Sequence, residues 1–460
     1  MNIKSDTTPK PANVRLEAML KGPIFLTLLG LAWPNLLMMI AQSSTGFIEA
    51  WFLSKLGIDA LAGAALVLPI LMLMQSMSQG AMGGGISSAV ARALGAGHYA
   101  QANSLVLHAV VLNTALGIIC CVILMLFSTP LFELMGARDA SLTAALAYAQ
   151  IAFPGLILMW IMNALASVIR GSGNMFTPGL VISGGAVLLI PLSPLLIFGW
   201  GPFPALGIAG AGWALVIYYA SGTAILFWYV VSGRNLARLQ LGKLDWTPIR
   251  NILAVGGLAT LNPLLTNGLI ASTTALVGAY LGTAALAGYG TAARLEYFIF
   301  PVAFGIGAPL VAMVASNLGA NQRKRAMKIA LTGGAMAFVV AEIIGLAAAI
   351  WPHSWMRLFG DDPDMIEAGV AYLRVVGPFF GFFGLGFTLY FAAQGARKLF
   401  WPLASGVLRL MIAVLGGWAV LHFTSSLIWF FAASALAMTL YGGVILATTT
   451  PRMWFKQPPR

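Results

Sequence analysis

Leu56-Gly57-Ile58-Asp59-Ala60-Leu61-Ala62-Gly63 returns 225 residues later as Leu281-Gly282-Thr283-Ala284-Ala285-Leu286-Ala287-Gly288. Gly80 returns as Gly305 in the same register. After a one-residue slip the offset is 224, and it pairs Leu94-Gly95-Ala96 with Leu318-Gly319-Ala320, Tyr148 with Tyr372, Pro154 with Pro378, Gly171 with Gly395 and Pro178 with Pro402. Small residues recur by chance in a chain rich in Gly and Ala. Chance does not hold one register over so long a stretch and carry Tyr and Pro with it, so the chain is an internal duplication.

Each copy must live in lipid. Of 460 residues 60% are hydrophobic and 8% charged, against roughly a quarter charged in soluble domains. About 20 apolar residues cross a bilayer core, and twelve such stretches run from 24–53 to 424–447, six in each copy. They are helices, because a barrel would show short alternating strands. The first apolar run is too long for a signal-peptide core and is expected to stay in the mature protein. With an even number of crossings per copy, both copies enter the membrane in the same sense, which places their symmetry axis along the membrane normal with a cavity between them. The expected organisation is an N-terminal segment 1–23, a first lobe 24–233, a linker 234–249, a second lobe 250–447 and a tail 448–460.

The net charge of +12 is explained by topology and not by nucleic acid. Basic residues such as Arg234, Arg238, Arg323, Lys324 and Arg325 crowd the loops on the side of the N-terminus, whereas the other loops hold only Lys55, Arg138 and Arg357. The excess predicts a bacterial inner-membrane protein with both termini in the cytoplasm, and a monomer is expected. Cys120 and Cys121 are adjacent in one span, about 100° apart on a helix, so neither a disulfide nor a metal pair is expected.

The repeated elements resemble the multidrug and toxic compound extrusion (MATE) family of cation antiporters. Pro34, Gln42, Glu49 and the tail Phe52-Leu53-Ser54-Lys55-Leu56-Gly57 are similar to the family's first helix, with its bending proline, glutamine, membrane carboxylate and closing glycine. The turns at 94–97 and 318–321, and the segments Arg170-Gly171-Ser172-Gly173 and Gln394-Gly395-Ala396-Arg397, resemble those after its second, eighth, fourth and tenth helices. The similarity covers nearly the whole chain. It implies a V-shaped all-α membrane fold of two pseudo-symmetric six-helix bundles, an export function and a coupling ion, H⁺ or Na⁺, in place of a cofactor. This chain departs from the family where Glu49 replaces the usual Asp, where Leu189 and Ser193 replace a fifth-helix Asn and Asp, and where Asn267 replaces a seventh-helix acid. A proton is preferred over Na⁺, which needs several oxygen ligands.

Only Glu49, Glu296 and Glu342 among the acidic residues lie well inside spans, where a charge costs roughly 2.5–3.5 kcal/mol on insertion scales. Their repeat counterparts are Thr274, Leu71 and Ile118, so each acid belongs to one half and to function more than to the shared scaffold. Glu49 is the leading candidate for coupling, because one buried charge that takes either a proton or a cationic substrate produces exchange. Arg294 and Glu296 are expected in the same role. Arg294 requires an acid on another helix, with Glu49 across the cavity as a candidate, while Glu296 faces Asn262 or Asn267. Glu342 is read as structural, Arg374 as a snorkelling cation and Arg409 as an interfacial anchor. Gln42, Asn262, Asn267, Met38, Phe47, Trp160 and Tyr289 are expected to line the substrate cavity, with Met39, Met159, Phe298 and Phe387 as further wall residues. Met and aromatic groups accept flat cations by dispersion and cation–π contact.

No GxxxxGK[ST] phosphate loop, HExxH or GxSxG occurs, which argues against ATP hydrolysis and against a membrane enzyme. A lipid-linked saccharide flippase of the related superfamily is the alternative, but it would line its cavity with several Arg or Lys. The expected partners are small organic cations and the lipid bilayer.

Overall fold

The computed structural model describes residues 11–199, 204–424 and 426–455, and its regular structure is helical throughout. A short helix α1 (Pro11–Lys21) precedes α2 (Ile24–Ser54), α3 (Ile58–Gly95), α4 (Tyr99–Leu134), α5 (Asp139–Gly171), α6 (Phe176–Phe198) and α7 (Ile208–Val231) of the first lobe. The second lobe contains α8 (Trp246–Ala259), α9 (Leu261–Ala293), α10 (Glu296–Gly319), α11 (Arg323–Ile350), the short α12 (Pro352–Met356), α13 (Pro363–Ala396), α14 (Phe400–Thr424) and α15 (Leu427–Thr448). Pro451–Phe455 forms a last turn, α16.

Among the described residues eleven apolar helical stretches are long enough to cross a membrane, and one of them, Trp246–Gly319, is long enough for two crossings. It is interrupted at Gly282, whose φ of 81° lies in the region that favours glycine. The repeat counterpart Gly57 turns the chain with φ 115° between α2 and α3. The seventh and eighth crossings therefore meet at Gly282, and twelve crossings result.

The duplication is visible as equivalent contacts. A Cβ on Gly63 would stand 2.8 Å from the Cβ of Ala144, and one on Gly288 would stand 2.9 Å from that of Ala368. In the first lobe α5 is packed by α3, α4 and α7, and in the second α13 is packed by α10, α11 and α15.

Across the lobes the same logic builds a seal. A Cβ on Gly95 would run into the backbone of Ser316, and one on Gly319 into the backbone of Arg92. These two contacts exchange under the 224-residue offset, as a pseudo-twofold axis requires. Ser88 Oγ donates to Gln394 O at 3.0 Å, Arg92 Nη2 to Gly395 O at 2.6 Å and Gln394 Nε2 to Gly80 O at 3.3 Å. The lobes thus join at the end of the molecule that carries the basic loops, and α2 also packs against α10, where a Cβ on Gly305 would run into Leu36. At the closed end α1 is held by Asn317 Nδ2, which donates to Met19 O at 3.0 Å. The connection between the lobes is tied to α4: Asn103 Oδ1 accepts from Arg238 N–H and His108 Nε2 from Asp245 N–H, both at 2.8 Å. That acceptor role leaves the proton on Nδ1 of His108, which donates to Ser104 O at 2.7 Å.

Candidate functional site

Glu49 points into the first lobe, 8% exposed. Tyr148 of α5 donates its hydroxyl proton to Glu49 Oε1 at 3.1 Å. Beside the carboxylate lies a cavity of about 10 Å³, lined by Ile48, Leu189, Ile190 and Ser193, room for about one water. Gln42, two turns earlier on the same face of α2, is hydrogen-bonded to Tyr218, whose ring adjoins that of Tyr219 at 5.1 Å. Pro34 lies inside α2 without ending it, and α6 approaches so closely there that a Cβ on Gly179 would be 3.2 Å from Pro34 O.

The second lobe contains the counterpart. A cavity of about 80 Å³, large enough for a few waters, is lined by Thr273, Thr274, Tyr289, Glu296, Tyr372 and Arg409 among others. Thr274 stands at the repeat position of Glu49, and Tyr372 at that of Tyr148. The carboxylate comes from a different helix: Glu296 at the start of α10 accepts the Tyr372 hydroxyl and lies 3.8 Å from Arg409 Nη2. Arg409 is itself held over the rings of Phe383 at 4.5 Å and Tyr441 at 5.6 Å. Tyr289 donates to Thr273 Oγ1 at 3.0 Å and packs against Tyr372, Phe430 and Phe431. The α14 helix widens into a π turn at Ile412–Gly416, of which Ala413 lines this cavity.

Several expectations need correction. Arg294 does not pair with Glu49, because it is exposed and lies over the ring of Phe359 at 5.6 Å. Glu296 faces Tyr372 and Arg409, not Asn262 or Asn267. Asn262 is buried, and Asn267 is exposed with its amide turned back to Pro263 O. Arg409 is not an interfacial anchor but the buried partner of an acid. Trp160 is packed in the core of the first lobe, 1% exposed, against α4 at Gly117. Phe298 is exposed, Phe387 belongs to an aromatic stack with Phe300, Phe383 and Phe391, and the side chain of Phe47 lies outside the described residues. Tyr289 does line a cavity, and Met38 is fully buried beneath Arg170. Glu342 accepts the Gly381 N–H at 2.8 Å, which fits a structural role.

Arg170, in the segment that resembles the one after the family's fourth helix, is 3% exposed at the floor between the lobes. Its Nη2 donates to the Met38 sulfur at 3.5 Å and its guanidinium lies 5.9 Å from the Phe304 ring centre, while Nε has no partner. The small space around it is lined by Gln79, Ser87, Ser167 and Phe391, with no acid. Gln79 belongs to a π turn of α3, Ser76–Met82, a local widening that is frequent at functional sites.

The MatE family model matches residues 34–195 and 259–419, well over half of the chain. A protein named FAD transporter from Shewanella oneidensis is 28% identical over 404 residues, covering 87% of this chain and 88% of its own. The multidrug export protein MepA of Staphylococcus aureus is 27% identical over 379 residues, 80% of each chain. Among solved structures, a MATE transporter in the straight conformation superposes with a TM-score of 0.87 at 20% identity, covering 95% of this chain and 97% of that one. The Vibrio cholerae MATE transporter VcmN in the bent form gives 0.85 at 22% identity, with 95% and 97% covered.

Proposed function

Because the chain belongs to the MatE family, whose members among its relatives are transporters, we propose that it is an antiporter exporting organic cations in exchange for protons, with Glu49 as the coupling group. The observation that carries this reading is the setting of Glu49. It is a buried carboxylate with a phenol donor, a water-sized space and no basic partner, since the ion pairs among the described residues are Lys21–Glu17 and Arg409–Glu296. A proton or a guest cation neutralises that charge, and one excludes the other. In this reading the basic end faces the cytoplasm, so the closed seal is cytoplasmic and the V opens outward. Protonation of Glu49 in that state releases the guest, and the lobes then rock to expose the site inward. H⁺ is preferred to Na⁺ because the groups beside Glu49 offer few oxygen ligands.

The test is efflux of a fluorescent cation from proteoliposomes under an imposed pH gradient, and in parallel under a Na⁺ gradient. Wild-type rates in Glu49→Gln would remove that residue from the mechanism.

A second reading rests on Arg170, a cation without a carboxylate on the floor between the lobes. It favours substrates that carry an anionic group as well as an aromatic one, in line with the relative named FAD transporter. A substrate panel that includes phosphate-bearing aromatic compounds separates the two readings.

A further inference from the structure

A second basic site lies at the closed end, away from both carboxylates. There a cavity of about 290 Å³ is lined by Arg92 of α3, His98, Gln101 of α4, Asn251 of α8, Gly319 of α10 and Arg397, together with small and apolar residues and no acid. The two arginines belong to opposite lobes. Arg92 spends Nη2 on Gly395 O and leaves Nε buried without a partner. Arg397 lines the same cavity from the other lobe, so two like charges face each other across the seam where the lobes must close.

The backbone gives an independent indication. Arg397 caps α13 with φ 57°, in the left-handed region that favours glycine. Its repeat counterpart is Gly173, with φ 82°. The same turn thus carries glycine in the first lobe and, in the second, a residue that places a guanidinium at the seam in spite of its Cβ.

We propose that this cavity binds a phosphate-type oxyanion, gripped by Arg92 of one lobe and Arg397 of the other, and that the bound anion fastens the lobes at the basic end. Guanidinium donors in pairs suit such oxyanions, and the volume exceeds that of a phosphate group by several waters. The anion relieves the repulsion between the arginines only while the lobes are closed there, so it binds this conformation in preference to the one open at the basic end and shifts the population toward it. Inorganic phosphate and the headgroup of an anionic lipid, attracted to basic membrane-facing surfaces, share this chemistry.

The experiment uses the full-length protein. In neutral detergent, inorganic phosphate is titrated while thermal unfolding is followed; in nanodiscs, phosphatidylcholine alone is compared with phosphatidylcholine plus phosphatidylglycerol. The decisive variant is Arg397→Gly, which restores the residue its own backbone prefers and so should fold at least as well without anion; Arg397→Gln serves as a second. Wild type should be stabilised by phosphate or by phosphatidylglycerol, and both variants should bind the anion at least about tenfold more weakly, the loss expected of one charge-assisted hydrogen bond. Protection by inorganic phosphate identifies a free anion, and protection only by phosphatidylglycerol identifies a headgroup. No protection in either arm, or variants that respond as wild type does, overturns the proposal.

Discussion

Tyr148 and Tyr372 occupy equivalent positions in the two repeats, and each donates its phenolic proton to a carboxylate inside its lobe, the buried Glu49 in the first and the partly buried Glu296 in the second. The donors are inherited from the duplication but the acceptors are not, because Glu49 enters from α2 and Glu296 from α10. The lobes have therefore kept one frame and filled it differently. In the first the carboxylate has no basic partner among the described residues; in the second Arg409 stands 3.8 Å away. An acid free of a cation is suited to exchange, and an acid held by one is suited to holding a lobe together.

The free acid should be the sensitive one in transport. Glu49→Gln is expected to abolish pH-driven efflux, whereas Tyr148→Phe should slow it by roughly 10–100-fold, the value of a hydrogen bond to a charged group of about 1.5–3 kcal/mol. Initial rates of dye efflux from proteoliposomes check both. Equal, wild-type rates in the two variants would detach the pair from coupling.

The paired acid should show in stability instead. Breaking a buried ion pair by removing one member costs about 3–5 kcal/mol, while replacing both members by apolar groups costs far less. Thermal unfolding of Glu296→Gln, Arg409→Met and the double variant forms a cycle in which the double should be more stable than the sum of the singles predicts. Additive losses would mean that the two charges do not feel each other.

The duplication and the membrane class were legible in the sequence because Tyr, Pro and Gly kept register and because so little charge was present. Glu49 and Glu296 were legible because an acid in lipid is expensive. Their partners were not. Arg409 has Gly185 as its repeat counterpart and lies far from Glu296 along the chain, so neither symmetry nor spacing links the two. Arg294, two residues from Glu296, invited a functional role, but it falls at the break between α9 and α10 and turns outward to Phe359. The role of Arg170 was not legible, because its place after the fourth span assigns an end of the helix and says nothing about depth. The one available signal for the tyrosines was their exact recurrence at 148 and 372.

The glycine crossing at the seal is expected to govern conformation without touching either acid. A side chain on Gly319 would displace the Arg92 backbone, so Gly319→Val should part the lobes at the basic end and favour the conformation open there. Spin labels placed on the two lobes at that end should report a longer distance than in wild type. An unchanged distance in a folded variant would show that the crossing does not hold the seal.

Arg170 offers the last test, and it bears on what is carried. Its guanidinium is buried at the floor, donating to the Met38 sulfur and facing the Phe304 ring. If it is merely structural, Arg170→Gln should lower stability and depress transport of every substrate alike. If it receives an anionic group, the variant should lose transport of phosphate-bearing aromatic substrates by about tenfold or more, the worth of a charge-assisted contact, while the rate for a simple dye cation holds or rises as a repelling charge is removed. The two outcomes differ in the ratio of rates between substrates, a quantity that is insensitive to how much folded protein each liposome contains. A ratio unchanged from wild type would leave Glu49 as the group that selects the guest and confine Arg170 to the packing of the floor.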